Sequence, residues 1–101
     1  MVIISKATIR DFVKIHNDAE VALHNWYELV NSTDWKNFSE IKNTFNSVDA
    51  VGNDRYVFNI KGNNYRLVAL IIFKVRTVFI LFIGTHSEYD KIDASSVLFK
   101  K

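Results

Sequence analysis

The sequence predicts an α+β domain in which helices come first and an antiparallel sheet follows. Three observations point there. Ala19, Ala22, Leu23, Trp26 and Val30 recur at three- and four-residue spacing, the period of a helix with one buried face. After Arg55 the period falls to two: Tyr56, Phe58 and Ile60 alternate against Arg55, Val57 and Asn59, as in a half-buried strand. Between two of the later apolar runs stands Lys61-Gly62-Asn63-Asn64, a tight-turn segment whose Gly and Asn tolerate positive φ.

Met1–Ser5 is a short apolar strand. Ser5 then caps a helix running to about His16, with Ile9, Phe12, Val13 and His16 on one face. Asn17-Asp18 restarts the chain as a second cap, and the Ala19–Val30 periodicity carries that helix to about Asn31. Asn31-Ser32-Thr33-Asp34 separates it from a short third helix, Phe38–Phe45, with Phe38, Ile41 and Phe45 inward. Three strands follow: Arg55–Ile60, Tyr65–Phe73 and Thr77–Ile83, the last two joined by Lys74-Val75-Arg76. Apolar residues on both faces of these two strands suggest central strands covered at least partly by the helices. The expected domain spans 1–101, with a meander joined by the first strand and the helices packed on one face.

Composition narrows the class. Hydrophobic residues are 49% of the chain and aromatics 14%, enough to fill a core and too many for a disordered protein. The longest apolar run, Leu67–Phe73, is far below the roughly 18 residues of a membrane span. The opening Met1-Val2-Ile3-Ile4-Ser5 lacks a basic segment and is too short for a signal peptide. No cysteine is present, so neither a disulfide framework nor thiolate chemistry is available. A cytoplasmic protein is expected. The net charge of +2 conceals an acidic first half and a basic second half, residues 55–101 holding eight Lys/Arg against three Asp/Glu. Such a half either holds a polyanion or is ordinary surface charge.

Strand pairing collects the candidate chemistry. If Ile60 pairs with Tyr65 across the turn, Asn59 lies opposite Arg66. If Lys74-Val75-Arg76 is a three-residue loop, Phe73 pairs with Thr77, Arg66 faces Gly84 and Asn64 faces His86. A two-residue loop would slip this register by one. In either register Asn59, Asn64, Arg66, Thr85 and His86 share one end of the sheet, and Gly84 would leave space above the Arg66 guanidinium. Arg66 sits in an otherwise apolar strand, where an unpaired cation is costly. It is therefore either ion-paired, for instance with Glu88 or Asp90, or an anion clamp able to bind phosphate oxygens bidentately. His86 either terminates its strand through a hydrogen bond or exchanges protons, since an imidazole can do both at neutral pH. Tyr89 either caps the core or stacks on a base. His16 and His24 read as surface or core-edge residues, and neither a metal site nor a Gly-rich phosphate loop is evident.

Gly84-Thr85-His86-Ser87-Glu88-Tyr89-Asp90-Lys91-Ile92 resembles the Gly-Thr-His-x-Glu-Tyr-Asp-Lys-Ile stretch of the HigB family of type II toxins. Upstream, Tyr56–Val68 is similar to that family's Gly-Asn-x-x-Arg-Leu hairpin, and Asp34-Trp35-Lys36-Asn37-Phe38 with Ile41-Lys42 and Phe45 also fits. The resemblance spans nearly the whole chain in the same order. It implies a RelE-like fold and a bacterial mRNA interferase, an endoribonuclease that inhibits translation without a metal or cofactor. It implies Arg66, His86 and Tyr89 as catalytic residues, with Lys36, Lys61, Asn64, Thr85 and Lys91 binding RNA around them. The RNA's own 2′-hydroxyl would be the nucleophile. The implied partners are mRNA, free or on the ribosome, and a HigA-type antitoxin with a helix-turn-helix domain; no membrane is implied. One departure stands out: members often carry a basic residue within the segment that reads Ile80-Leu81-Phe82 here. Either this lineage does without that charge or its activity is weakened. In the second case the chain would be an inactive or weakened homologue that binds RNA, the ribosome or antitoxin. If the missing charge matters and the position reaches RNA, Leu81→Arg raises cleavage.

Overall fold

Ser5 behaves as a short hydroxyl residue ahead of a helix should: its Oγ accepts the Ala7 N–H at 3.1 Å, satisfying an orphan donor of the first turn. It separates β1 (Val2–Ile4) from α1 (Lys6–Ile15). A single 3-10 turn over Asn17–Ala19 leads into α2 (Glu20–Asn31). Asn37 then caps α3 (Phe38–Thr44), its side chain accepting the Glu40 N–H at 3.1 Å. Four strands follow: β2 (Val48–Gly52), β3 (Arg55–Ile60), β4 (Tyr65–Ile72) and β5 (Thr77–Thr85), with the one-turn helix α4 (His86–Tyr89) after them. This computed structural model describes residues 1–99. Among these, no helix is long and apolar enough to cross a membrane.

The fold is α+β, with a five-stranded mixed sheet in the order β1-β5-β4-β3-β2, consistent with a RelE-like architecture. β1 lies parallel to β5 and every other pair is antiparallel. Two elements go beyond the sequence expectation. Strand β2 forms a hairpin with β3 through Asn53 and Asp54, both at positive φ (54° and 61°), as the favoured two-residue hairpin turns require. The short α4 continues the chain where the last strand was expected to end.

Side-chain alternation gives the sheet two covered faces. One carries Phe58, Ile60, Leu67, Ala69, Ile71 and Val78 against Leu23, Trp26 and Val30 of α2, Ile9 of α1 and Ile41 of α3. The opposite face carries Val57, Val68 and Leu81 under Ala94, Val97 and Phe99. The C-terminal segment is thus a strap, and hydrogen bonds pin it. Arg55 donates to the Val97 carbonyl from Nε (3.1 Å) and Nη2 (2.8 Å), while Asn53 Nδ2 donates to the Ser95 carbonyl at 2.8 Å.

The register corrects one step of the sequence argument. The β4–β5 connection holds four residues, so Ile72, not Phe73, pairs with Thr77. Leu81 is then an extra residue: Ala69 pairs with Ile80 and Val68 with Phe82, a bulge that shifts the register by one. The longer loop and the bulge cancel, and Arg66 faces Gly84. The bulge also puts Leu81 and Phe82 on the same face, under the strap, and leaves Leu81 only 5% exposed. An arginine at Leu81 would therefore enter this packed layer rather than reach an open RNA-binding surface.

Candidate active site

Because Arg66 shares its sheet face with Val68, it lies on the strap side, between Asn59 of β3 and Gly84 of β5. It is half-buried, and its Cζ lies 5.6 Å from the centre of the Tyr89 ring. That geometry is a cation–π contact, worth about 0.5–1 kcal/mol at an exposed position. Among the described residues Arg66 makes no ion pair. Both carboxylates proposed as partners are engaged elsewhere. Glu88 Oε1 accepts the Thr85 N–H at 2.8 Å, and Asp90 Oδ2 sits 3.2 Å from His86 Nδ1. The guanidinium donors are left without a carboxylate, while the aromatic ring fixes the plane of the group.

Helix α4 delivers the other two residues. Thr85 accepts the Glu88 N–H at 3.2 Å while Glu88 accepts the Thr85 N–H, the reciprocal pair of a capping box. Accepting that backbone N–H is the main reason the Glu88 carboxyl is held below its ordinary range, with the nearby Lys91 ammonium adding to it. This cap starts a helical turn in which His86 and Tyr89 are three residues apart and therefore neighbours on its surface. Tyr89 turns inward beneath Arg66, and His86 stays exposed. Asp90, four residues after His86, approaches Nδ1 and leaves Nε2 as the nitrogen available to a substrate. The His-x-x-x-Asp spacing was the signal for this pairing, and it has meaning only once the segment is helical.

Gly84 does not leave open space above Arg66. A Cβ built there would clash with the Phe82 ring and lie 3.1 Å from Glu88 Oε1, because Phe82, two residues earlier in β5, points to the same face. The glycine instead permits close packing of Phe82 and Glu88 against the strand.

The residues expected to surround the catalytic trio divide by location. Thr85 and Asn64 stand at the Arg66 end, Thr85 spent on the cap and Asn64 exposed in the β3–β4 turn. Lys91 is exposed just beyond α4. Lys61 is at this end too, but its Nζ lies 3.0 Å from Asp18 Oδ2, on the helix side of the sheet. The Tyr65 hydroxyl donates to the other Asp18 oxygen at 2.6 Å. The two bonds, Tyr65 first, hold the Asp18 carboxyl below its usual value, and the same bond raises the Tyr65 phenol. His16 completes this cluster, its ring 5.4 Å from that of Tyr65 and stacked on Phe12 at 4.5 Å. Lys36 is not brought to the site. Its Nζ lies 3.1 Å from Asp34 Oδ2, and Asp34 also takes the Arg76 guanidinium, at the β4–β5 end of the sheet. Arg66 is the second residue of β4 (Tyr65–Ile72), so most of that strand, about 20 Å, lies between it and that end.

One end of the sheet thus offers a held guanidinium with unspent donors, an imidazole with one free nitrogen and a phenol. These can bind an anion and exchange protons beside it. Residues 19–92 match the family model described as HigB_toxin, RelE-like toxic component of a toxin-antitoxin system. Over 94 residues the chain is 34% identical to the mRNA interferase HigB of Escherichia coli O6:H1, a match covering 91% of each chain.

Proposed function

The chain belongs to the HigB family, the RelE-like toxic components of toxin–antitoxin systems, and we propose that it is a cytoplasmic endoribonuclease that cleaves mRNA and so blocks translation. The observation that carries this reading is Arg66, a half-buried cation without a carboxylate partner among the described residues, laid on Tyr89 beside His86. A phosphodiester supplies the oxygens such a guanidinium lacks.

The reaction needs no protein nucleophile. A base removes the 2′-hydroxyl proton, the 2′-oxygen attacks phosphorus, and the bond to the 5′-oxygen breaks as that oxygen receives a proton. The products are a 2′,3′-cyclic phosphate and a 5′-hydroxyl. Arg66 stabilises the added charge on the phosphoryl oxygens as they become a phosphorane. His86, oriented by Asp90, exchanges protons through Nε2, and Tyr89 holds the guanidinium and offers its ring edge to the nucleotide. Thr85, Asn64 and Lys91 border the RNA path. As the toxic half of a pair, the chain has an antitoxin partner, which we assign to the HigA-type helix-turn-helix class.

Tightly controlled expression in bacteria, with mapping of RNA ends, tests the reading. Growth arrest with new 5′-hydroxyl ends in messages is expected, and Arg66→Ala should lower cleavage by roughly a hundredfold to a thousandfold, the usual cost of one lost donor to a developing anion. Intact messages under wild-type expression, or full-rate cleavage by Arg66→Ala, would overturn it.

A further inference from the structure

Helices α1 and α2 leave a groove of about 360 Å³ between them, on the side of the sheet away from Arg66. Its floor is apolar, made by Ile9, Val13 and Tyr27; Lys6, Arg10 and Lys14 of α1 line one side, and Glu20 and His24 of α2 line it as well, so cations outnumber the single carboxylate. The three cations recur every four residues, so they form a single stripe along α1, about 6 Å apart along the axis. Lys14, in the last turn of α1, suits the helix dipole, but the rest of the stripe does not help the fold. Like charges at four-residue spacing repel on a helix. Lys6 also occupies the first turn, where the macrodipole prefers an anion, and that turn holds no acidic residue. Among the described residues only Arg10 has a carboxylate within reach, Asp11 at 3.6 Å; Lys6 lies over the Tyr27 ring at 5.1 Å and Lys14 makes no ion pair. The chain's first half is net acidic, yet three of its five Lys/Arg gather here.

We infer that this groove is a docking surface for an amphipathic helix of the antitoxin, with an apolar ridge and carboxylates at every fourth residue. The repeat of the cations is the repeat of an α-helix. A partner helix lying along α1 therefore meets Lys6, Arg10 and Lys14 each with an acidic side chain, while its apolar ridge covers Ile9, Val13 and Tyr27. A nucleic-acid strand would meet the cations but leave the apolar floor without a counterpart. The inference takes the identity of the partner from the toxin–antitoxin reading, but it does not depend on RNA cleavage, and Arg66, His86 and Tyr89 lie outside the groove.

The test uses the full chain and its cognate antitoxin, with binding by calorimetry and RNA cleavage measured separately. Lys6→Glu/Lys14→Glu, at two exposed positions, should weaken the dissociation constant about tenfold or more. It should also remove most of its salt dependence, with cleavage by the free protein unchanged. Carbodiimide coupling of the wild-type complex, which joins an amine to a carboxylate in direct contact, should link Lys6 or Lys14 to acidic residues on one face of an antitoxin helix. Unchanged affinity, links only to other lysines, no binding by the wild-type chain, or a loss of RNA cleavage with antitoxin binding intact would each overturn the inference. A wild-type chain that binds antitoxin through these lysines but cuts no RNA would refute the endoribonuclease reading and leave the docking surface standing.

Discussion

Arg66 and Arg76 stand at opposite ends of the sheet and are used in opposite ways. Arg76 donates to Asp34, which also takes Lys36, and the guanidinium is the main reason the Asp34 carboxyl is held low. Among the described residues Arg66 has the face of Tyr89 and no carboxylate. At the first end the cations are matched by an acid within the fold, so they tie α2's exit loop to the β4–β5 connection. At the second the nearby acids are diverted, Glu88 to the Thr85 cap and Asp90 to His86, and the cation is left for something outside the fold. Residue type does not separate a structural arginine from a candidate catalytic one; the partner does.

The largest effect expected from this contrast comes from the paired substitutions. Arg66→Ala should remove cleavage by two to three orders of magnitude and leave thermal unfolding nearly unchanged. Arg76→Ala should leave cleavage intact and lower the melting temperature only slightly, since its partner is solvent-exposed. Turnover assays and melting curves on the two variants would break the comparison if the effects were exchanged.

Leu81→Arg asks whether a cation can be added midway along the same face. Placed among Val57, Val68 and Ala94, the guanidinium would enter an apolar layer, so the variant should lose about 3 kcal/mol or more and gain no cleavage. Higher activity at unchanged melting temperature would return Leu81 to the RNA-binding surface, as the family resemblance suggested. Gly84→Ala sharpens the picture at the Arg66 end. Its methyl must displace Phe82 or Glu88, at a cost of about 1–3 kcal/mol, and reduced cleavage beyond the loss of folded protein would report a moved α4.

The smallest effect is the pH dependence. Asp34 at one end and Asp18 and Glu88 at the other are all held below their ordinary values. Their unfolded counterparts therefore take up protons first as pH falls. The stability these contacts contribute is present at neutral pH and lost below about pH 4, as the folded groups protonate. These side chains are close to the surface, so the loss should be modest and shrink with added salt. Denaturant midpoints that rise between pH 5 and pH 3 would contradict the sign.

Periodicity and caps were enough to locate α1, α2, α3, β3 and β4 to within a residue or so, because burial of one face and satisfaction of end groups are local demands that Ser5, Asn37 and the Tyr56/Phe58/Ile60 alternation record directly. The β2–β3 hairpin also had its signal, Gly52-Asn53-Asp54 after Val48-Asp49-Ala50-Val51, but a five-residue edge strand with one fully buried side chain leaves too weak a pattern to stand alone. The family motif around His86 was legible as a resemblance, and the clustering of Arg66, Thr85 and His86 followed from strand pairing. What tertiary structure alone decided was where each charge finds its counter-charge. Asp18 reaches Lys61 across 43 residues and Asp34 reaches Arg76 across 42, distances over which no local pattern carries information. The Arg66–Gly84 pairing shows the same limit from the other side: it emerged from a miscounted loop and an unforeseen bulge at Leu81, whose one-residue shifts cancel. A bulge is set by how β5 must bend to seat Leu81 beneath the strap, and that fit exists only once both faces of the sheet are covered.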